Sequence, residues 1–274
     1  MSGRIYQVLD RPEVTSVLFY PRRDVGVPRL APDMHTVRIP VEQDVYVGGK
    51  VFVAAPGSPV ILYFHGNGEI ASDYDTIAPF YTRIGITLFV VDYRGYGLSD
   101  GTPSATALVD DACVVYARTR QMLADRGVDA GKLFIMGRSL GSAAALDIAD
   151  RATDSGISGL ILESAFAYTF PLVERIGFLQ LADAYEHRDG FGNLEKIARV
   201  KLPTLIIHGQ RDWIIPIGDA EALYEAAAGQ PKTLIRIPGA GHNDLMLVGH
   251  EPYFDSIAAF CGTAGEPPRG TDVT

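Results

Sequence analysis

Six short segments of almost unbroken apolar sequence recur along the chain, and no other feature limits its fold as strongly. They are PVILYF (59–64), TLFVV (87–91), KLFIMG (132–137), GLILES (159–164), TLIIHG (204–209) and KTLIRIP (232–238). All are rich in β-branched residues and lack the apolar–polar alternation of a strand with one wet face. Strands of this kind lie in a parallel sheet covered on both sides. Between them stand helix candidates: SDYDTIAPFYTRIG, SATALVDDACVVYARTRQMLADRG, SAAALDIADRA, GDAEALYEAAAG and PYFDSIAAFCG. Strand and helix alternating at this spacing predict a doubly wound α/β architecture with helices on both faces.

Ahead of the first such strand, HTVRIPVEQDVYVGGKVFVAA (35–55) reads as an antiparallel hairpin with Gly48-Gly49 near its turn. No internal repeat or linker divides the 274 residues, so residues 1–274 are expected to form a single α/β domain. The Gly/Pro-rich tail from about residue 263 is expected to be flexible. Residues 165–200 exceed a usual connection and carry Phe166, Tyr168, Phe170, Phe178, Tyr185 and Phe191. They form either a small cap or lid over the strand ends or a connector packed on the body.

Bulk properties exclude several classes of function. A net charge of -9, with no basic stripe, argues against nucleic acid as a partner. The two cysteines, Cys113 and Cys261, form no metal-type cluster and no disulfide framework. The first residues lack the layout of a signal peptide, and no apolar run is long enough to span a bilayer. A cytoplasmic protein without a transmembrane segment is expected.

The spacing G-x-S-x-G occurs twice, at Gly137–Gly141 around Ser139 and at Gly97–Gly101 around Ser99. A nucleophile elbow needs a strand before the serine and a helix after it. Ser139 has both, in KLFIM and SAAALDIA, and glycine on either side suits a strained turn. Ser99 follows VVDYRGY and precedes the loop DGTPSAT, which is turn chemistry.

A serine nucleophile requires a base held by an acid. Asp212 lies in HGQRDWIIP after one later strand, and His242 lies in GAGHND after the next. Both loops leave the carboxyl ends of strands, where open α/β sheets bind ligands. Among the other histidines, His35 and His187 lack a catalytic context, His65 and His208 precede glycines at strand ends, and His250 sits in VGHEPY. Glu163, at the end of GLILES, is the rival acid, and Asp212 is preferred on order and loop context. Asp244 is too near His242 in sequence to orient it. The amides of Leu140 and Asn67 are the candidate oxyanion donors. A competing pattern, Gly66-Asn67-Gly68-Glu69-Ile70-Ala71 with Asp92 downstream, has dinucleotide-site spacing but lacks a helix starting within its glycines. No metal-ligand cluster such as HExxH is present.

In order, FHGNGE, VVDYRGYGLSDG, GRSLGS, HGQRDWIIP and GAGHND resemble the α/β-hydrolase superfamily over about residues 35–262. Within it they are most similar to the branch of compact serine esterases and serine-peptidase-like proteins. The resemblance implies an eight-stranded, mostly parallel sheet and no cofactor. It implies Ser139 as nucleophile, His242 as base, Asp212 as acid, and Asn67 and Leu140 as oxyanion donors. A serine at 139 departs from the aspartate of dehalogenases and epoxide hydrolases. The expected activity is hydrolysis of a small carboxylic ester through an acyl-enzyme. Peptide or amide hydrolysis by the same residues is the first alternative, and a catalytically silent binding protein is the second.

Overall fold

All six apolar runs form strands of one eight-stranded sheet in the computed structural model, which describes residues 5–26, 33–152 and 156–263. The strands are β1 (Met34–Glu42), β2 (Val45–Phe52), β3 (Val60–Phe64), β4 (Thr87–Val91), β5 (Leu133–Arg138), β6 (Gly159–Glu163), β7 (Thr204–Gly209) and β8 (Lys232–Ile237). Their order is β1-β2-β4-β3-β5-β6-β7-β8. The pairs from β4 to β8 are parallel, and β2 joins β1 and β4 antiparallel. The helices are α1 (Pro12–Leu18), α2 (Ala78–Arg83), α3 (Ala105–Ala124), α4 (Gly141–Arg151), α5 (Thr169–Gly177), α6 (Glu186–Asp189), α7 (Asn193–Ile197), α8 (Ile217–Ala226), α9 (Leu245–Val248) and α10 (His250–Cys261).

The sheet is buried on both faces because each central strand sends alternate side chains into two cores. Val60, Leu62 and Phe64 of β3 join Val109, Ala143, Leu146 and Val173 on one side. Ile61 and Tyr63 join Tyr81, Phe254 and Ile257 on the other. Helices α3, α4 and α8 cover the first face, while α2 and α10 cover the second. Among the described residues no helix is long and apolar enough to cross a membrane, and Cys113 and Cys261 are free.

Two local expectations change. The hairpin turns at Gln43-Asp44, where Asp44 takes φ 57°, and Gly48-Gly49 lies inside β2. Those glycines serve close packing instead. A Cβ on Gly49 would sit 2.7 Å from the Val90 carbonyl, and one on Gly48 would sit 3.1 Å from Leu98 Cβ. The helix expected from Ser72 to Gly85 divides into a 3-10 turn, Ala71–Asp75, and α2, whose first turn carries Pro79. Proline at that position lacks the N–H needed to continue the preceding turn. The tail beyond Thr263 lies outside the described residues.

Residues 165–200 contain α5, α6 and α7 and are tied to the body. Phe166 and Phe191 are buried in the main core, and Asn193 Nδ2 donates to the Phe166 carbonyl at 2.9 Å. The Glu186 carboxylate accepts from the Thr169 and Phe170 amides at 2.8 and 2.9 Å, satisfying two orphan donors of α5. Tyr168, Phe178 and Tyr185 remain exposed.

The tightest packing lies where α4 meets β3. A Cβ on Gly141 would fall 2.1 Å from the Phe64 carbonyl oxygen, and one on Gly137 2.4 Å from that of Gly141. Neither glycine has positive φ; Ser139 itself takes that conformation, at 49°. The flanking glycines therefore supply space for backbone contact, and the strained turn falls on the serine. Gly141→Ala should cost about 3 kcal/mol by overpacking. Gly218→Ala, on α8 with nothing within 4 Å, should instead stabilise by about 0.5 kcal/mol through helix propensity. Urea denaturation of the two variants, with opposite shifts in midpoint, checks this contrast.

Candidate active site

Ser139 follows β5, Asp212 follows β7 and His242 follows β8, so parallel pairing carries all three to the carboxyl edge of the sheet. There His242 Nδ1 lies 2.7 Å from Asp212 Oδ2, and its Nε2 lies 3.0 Å from Ser139 Oγ. A carboxylate only accepts, so Nδ1 carries the proton and Nε2 accepts from the serine hydroxyl. The three residues are buried, between 7% and 9% exposed.

Backbone and side-chain hydrogen bonds hold each of them. The Ser139 amide donates to the Glu163 carbonyl at 2.9 Å, and its carbonyl accepts from the Ser142 amide and hydroxyl at 3.0 and 2.6 Å. Asp212 Oδ1 accepts from the Ile214 and Ile215 amides at 2.9 and 2.8 Å, a local turn that aims Oδ2 at the imidazole. Asp244 Oδ1 accepts from the Gly241 amide at 2.6 Å, closing the histidine loop rather than touching the ring.

The amides of Leu140 and Asn67 have no acceptor among the described residues. Leu140 precedes α4, whose residues 141–149 are all buried. The Asn67 side chain is fixed, because its Oδ1 accepts from the Tyr20 amide at 2.7 Å and the Tyr96 hydroxyl at 2.8 Å. Its loop lies beside the elbow, since the His65 carbonyl would be 2.9 Å from a Cβ on Gly141.

The rivals fall elsewhere. Ser99 is fully buried, and its Oγ accepts from the Gly48 amide at 2.8 Å, a structural bond in the turn after β4. Glu163 points away from His242: Oε1 receives Arg138 Nε at 3.2 Å, and Oε2 receives the Tyr63 and Tyr253 hydroxyls at 3.0 and 2.8 Å. Asp92 is buried with its Oδ1 on the Ala71 amide at 2.8 Å, and the glycine run leads into a 3-10 turn. That geometry gives the Gly66–Ala71 pattern no free carboxylate for a ribose. No group of three metal-type ligands occurs among the described residues.

Sequence reading missed two neighbours of the site. One is Arg138, beside Ser139. The other is His208 at the end of β7, whose Nε2 lies 2.8 Å from the Ile215 carbonyl and 3.4 Å from Asp212 Oδ2. Its Nδ1 is buried without a partner among the described residues. A histidine before a glycine at a strand end gives no signal of this. Burial lowers the His208 pKa, outweighing the Ile215 carbonyl and Asp212, which raise it. The unfolded chain, with a value of about 6.5, therefore binds more protons than the folded one below that pH. This contribution is complete above about pH 6.5 and is lost as the pH falls toward the lowered folded value. His208→Gln, which keeps an N–H for the Ile215 carbonyl, should lose less melting temperature than the unaltered protein between about pH 7 and pH 5. Parallel acid-side slopes in thermal melts would refute this.

The family described as "Serine aminopeptidase, S33" matches residues 56–182 and 185–246. The uncharacterized protein YfhR of Escherichia coli (strain K12) is 31% identical over 214 residues, covering 76% of this chain and 71% of that protein. The α/β hydrolase domain-containing protein 17C of Xenopus laevis is 32% identical over 226 residues, covering 80% and 67%. Among solved structures, the Pyrococcus furiosus esterase Pf2001 superposes with a TM-score of 0.70 at 20% identity, over 88% of this chain and 98% of that one. The Paleococcus ferrophilus monoacylglycerol lipase gives 0.60 at 18%, over 80% and 99%. The chain is thus a serine hydrolase of the α/β fold and belongs to the serine aminopeptidase S33 family of the α/β-hydrolase superfamily.

Proposed function

We propose that the protein hydrolyses small carboxylic esters through an acyl-enzyme formed on Ser139. The observation that carries this reading is the unbroken hydrogen-bonded path from Ser139 Oγ through His242 to Asp212, with distances of 3.0 and 2.7 Å. His242 Nε2 takes the serine proton as Oγ bonds to the acyl carbon, and the carbonyl π pair moves onto its oxygen. The Leu140 and Asn67 amides donate to that oxyanion. Collapse breaks the ester C–O bond, and the departing alkoxide leaves as alcohol with the proton from Nε2. Water then attacks the acyl carbon with His242 again as base, releasing the acid and restoring the serine. Asp212 holds the imidazole tautomer and stabilises its charged form throughout.

Two structural neighbours, an esterase and a monoacylglycerol lipase, favour ester over amide. The family's description favours amide cleavage by the same residues as the second reading.

A chain-length series of p-nitrophenyl esters beside aminoacyl-p-nitroanilides separates the two, and fluorophosphonate labelling reports the nucleophile. Esters should turn over faster than anilides, and label should attach to Ser139. Ser139→Ala and Asp212→Asn should each lower kcat by about 10⁴-fold or more. Glu163→Gln should cost less than Asp212→Asn. Ser99→Ala should keep activity while losing about 1 kcal/mol of stability with its bond to Gly48. Absence of both turnover and labelling would leave a binding protein on a hydrolase fold. Activity that survives Asp212→Asn but not Glu163→Gln would reverse the choice of acid.

A further inference from the structure

We propose that Arg138 is the positioning residue of the site, clamping the main chain that carries His242 to the strand that carries Ser139; the proposal rests on His242 being the general base. The guanidinium sits at the end of β5, one residue before the nucleophile, and is 7% exposed. Its Nη2 donates to the His242 carbonyl at 2.9 Å and to Asn243 Oδ1 at 2.9 Å. Its Nε donates to Glu163 Oε1 at 3.2 Å, and its Nη1 donates to Glu69 Oε1. One planar group thus joins the ends of β5 and β6 to the loops after β3 and β8.

Both carboxylates are themselves anchored. Glu69 Oε2 accepts from the Gly66 amide at 2.9 Å and from the Tyr74 hydroxyl at 2.8 Å. Gly66 immediately precedes Asn67, so the same cluster also fixes the loop of the second oxyanion donor. Glu163 Oε2 is held by the Tyr63 and Tyr253 hydroxyls, at 3.0 and 2.8 Å. A Cβ on Gly66 would lie 2.4 Å from Arg138 Nη1, so a larger residue there would displace the guanidinium.

The energetics favour a geometric role. A buried ion cluster gives little net stability compared with apolar packing of the same volume, since desolvation offsets the Coulomb attraction. What it supplies is direction: four acceptors in three separate segments are matched by one rigid fork. Burial lowers the Arg138 pKa, but Glu69 and Glu163 outweigh it and raise the group above its ordinary value, so the fork stays charged. Burial pushes Glu163 up, against Arg138 and the tyrosine hydroxyls. Burial also pushes Glu69 up, and Arg138 leads the groups that bring it below its ordinary value. Asp212 orients the imidazole itself, and from the His242 carbonyl only ψ and two side-chain torsions lead to the ring, so holding that carbonyl keeps Nε2 within reach of Ser139 Oγ. A displacement of about 1 Å at such a site costs on the order of 10²-fold in rate.

The test is a double-mutant cycle between Arg138→Lys and His242→Ala, assayed on an activated p-nitrophenyl ester whose residual turnover without the base is measurable. Lysine keeps the charge opposite Glu69 and Glu163, but its single nitrogen cannot span the four acceptors. Arg138→Lys should lower kcat by about 10- to 100-fold with KM little changed, and should cost the residual rate of His242→Ala, which still uses the Asn67 amide, a much smaller factor. Asn243→Ala, at an exposed position that leaves the buried charges in place, should lower kcat severalfold in the same background-dependent way. Unchanged kcat in both Arg138→Lys and Asn243→Ala overturns the proposal, as does an equal factor lost with and without His242. Should Arg138→Lys fail to fold, the Asn243→Ala cycle decides alone. Full activity in His242→Ala or Ser139→Ala would instead overturn the ester-hydrolysis reading itself, so the two failures are distinguishable.

Discussion

The contact of backbone with backbone at Gly141 and Phe64 is the constraint from which the site follows. Because α4 begins against the end of β3 with no side chain between them, the chain leaving β5 must reverse within the few residues that contain Ser139. The reversal places the serine in a left-handed conformation, which a non-glycine residue adopts only when its surroundings over-determine it. Those surroundings are the Glu163 carbonyl on one side and Ser142 on the other. The buried alanines of α4 then let the helix lie flat on the sheet and present its first amides at the elbow.

Around this fixed point the molecule uses two means of holding side chains. Asp212 is held locally, by amides two and three residues onward in its own loop. The histidine loop is held at long range, by a guanidinium whose other contacts lie on β6 and after β3. The local device tolerates changes elsewhere in the fold. The long-range device makes the relative placement of four strand ends a single property.

The strands were legible because central parallel strands have no wet face, so their sequences carry no competing pattern. Ser139, His242 and Asp212, which the fold brings within hydrogen-bonding distance of one another, were legible because each sits in a loop directly after such a strand. The hairpin turn was not, since Gly48-Gly49 carries the stronger turn signal while the actual turn, Gln43-Asp44, carries one ordinary polar residue and one aspartate. The glycines around Ser139 were assigned to the right place for the wrong reason: they make room, and the serine bears the unusual φ. Glu163 was visible as a carboxylate near the site, but its partners at positions 63, 138 and 253 share no spacing with it. A single arginine inside G-x-S-x-G looks like a tolerated variable position until the fold brings residues 69, 163 and 242 to it.

The position of β8 has a consequence for how the chain matures. It is an edge strand, half exposed along much of its length and paired, among the described residues, only with β7. The loop after it nevertheless delivers His242 to a serine 103 residues earlier. Ribosomal synthesis presents the N-terminal part of a chain first, so Ser139, the Asn67 loop and Asp212 exist as sequence before His242 does. A nascent or truncated chain ending before β8 therefore carries a serine with no partner for its proton. The hydrogen bond at Ser139 becomes an internal signature that the last strand has joined the sheet.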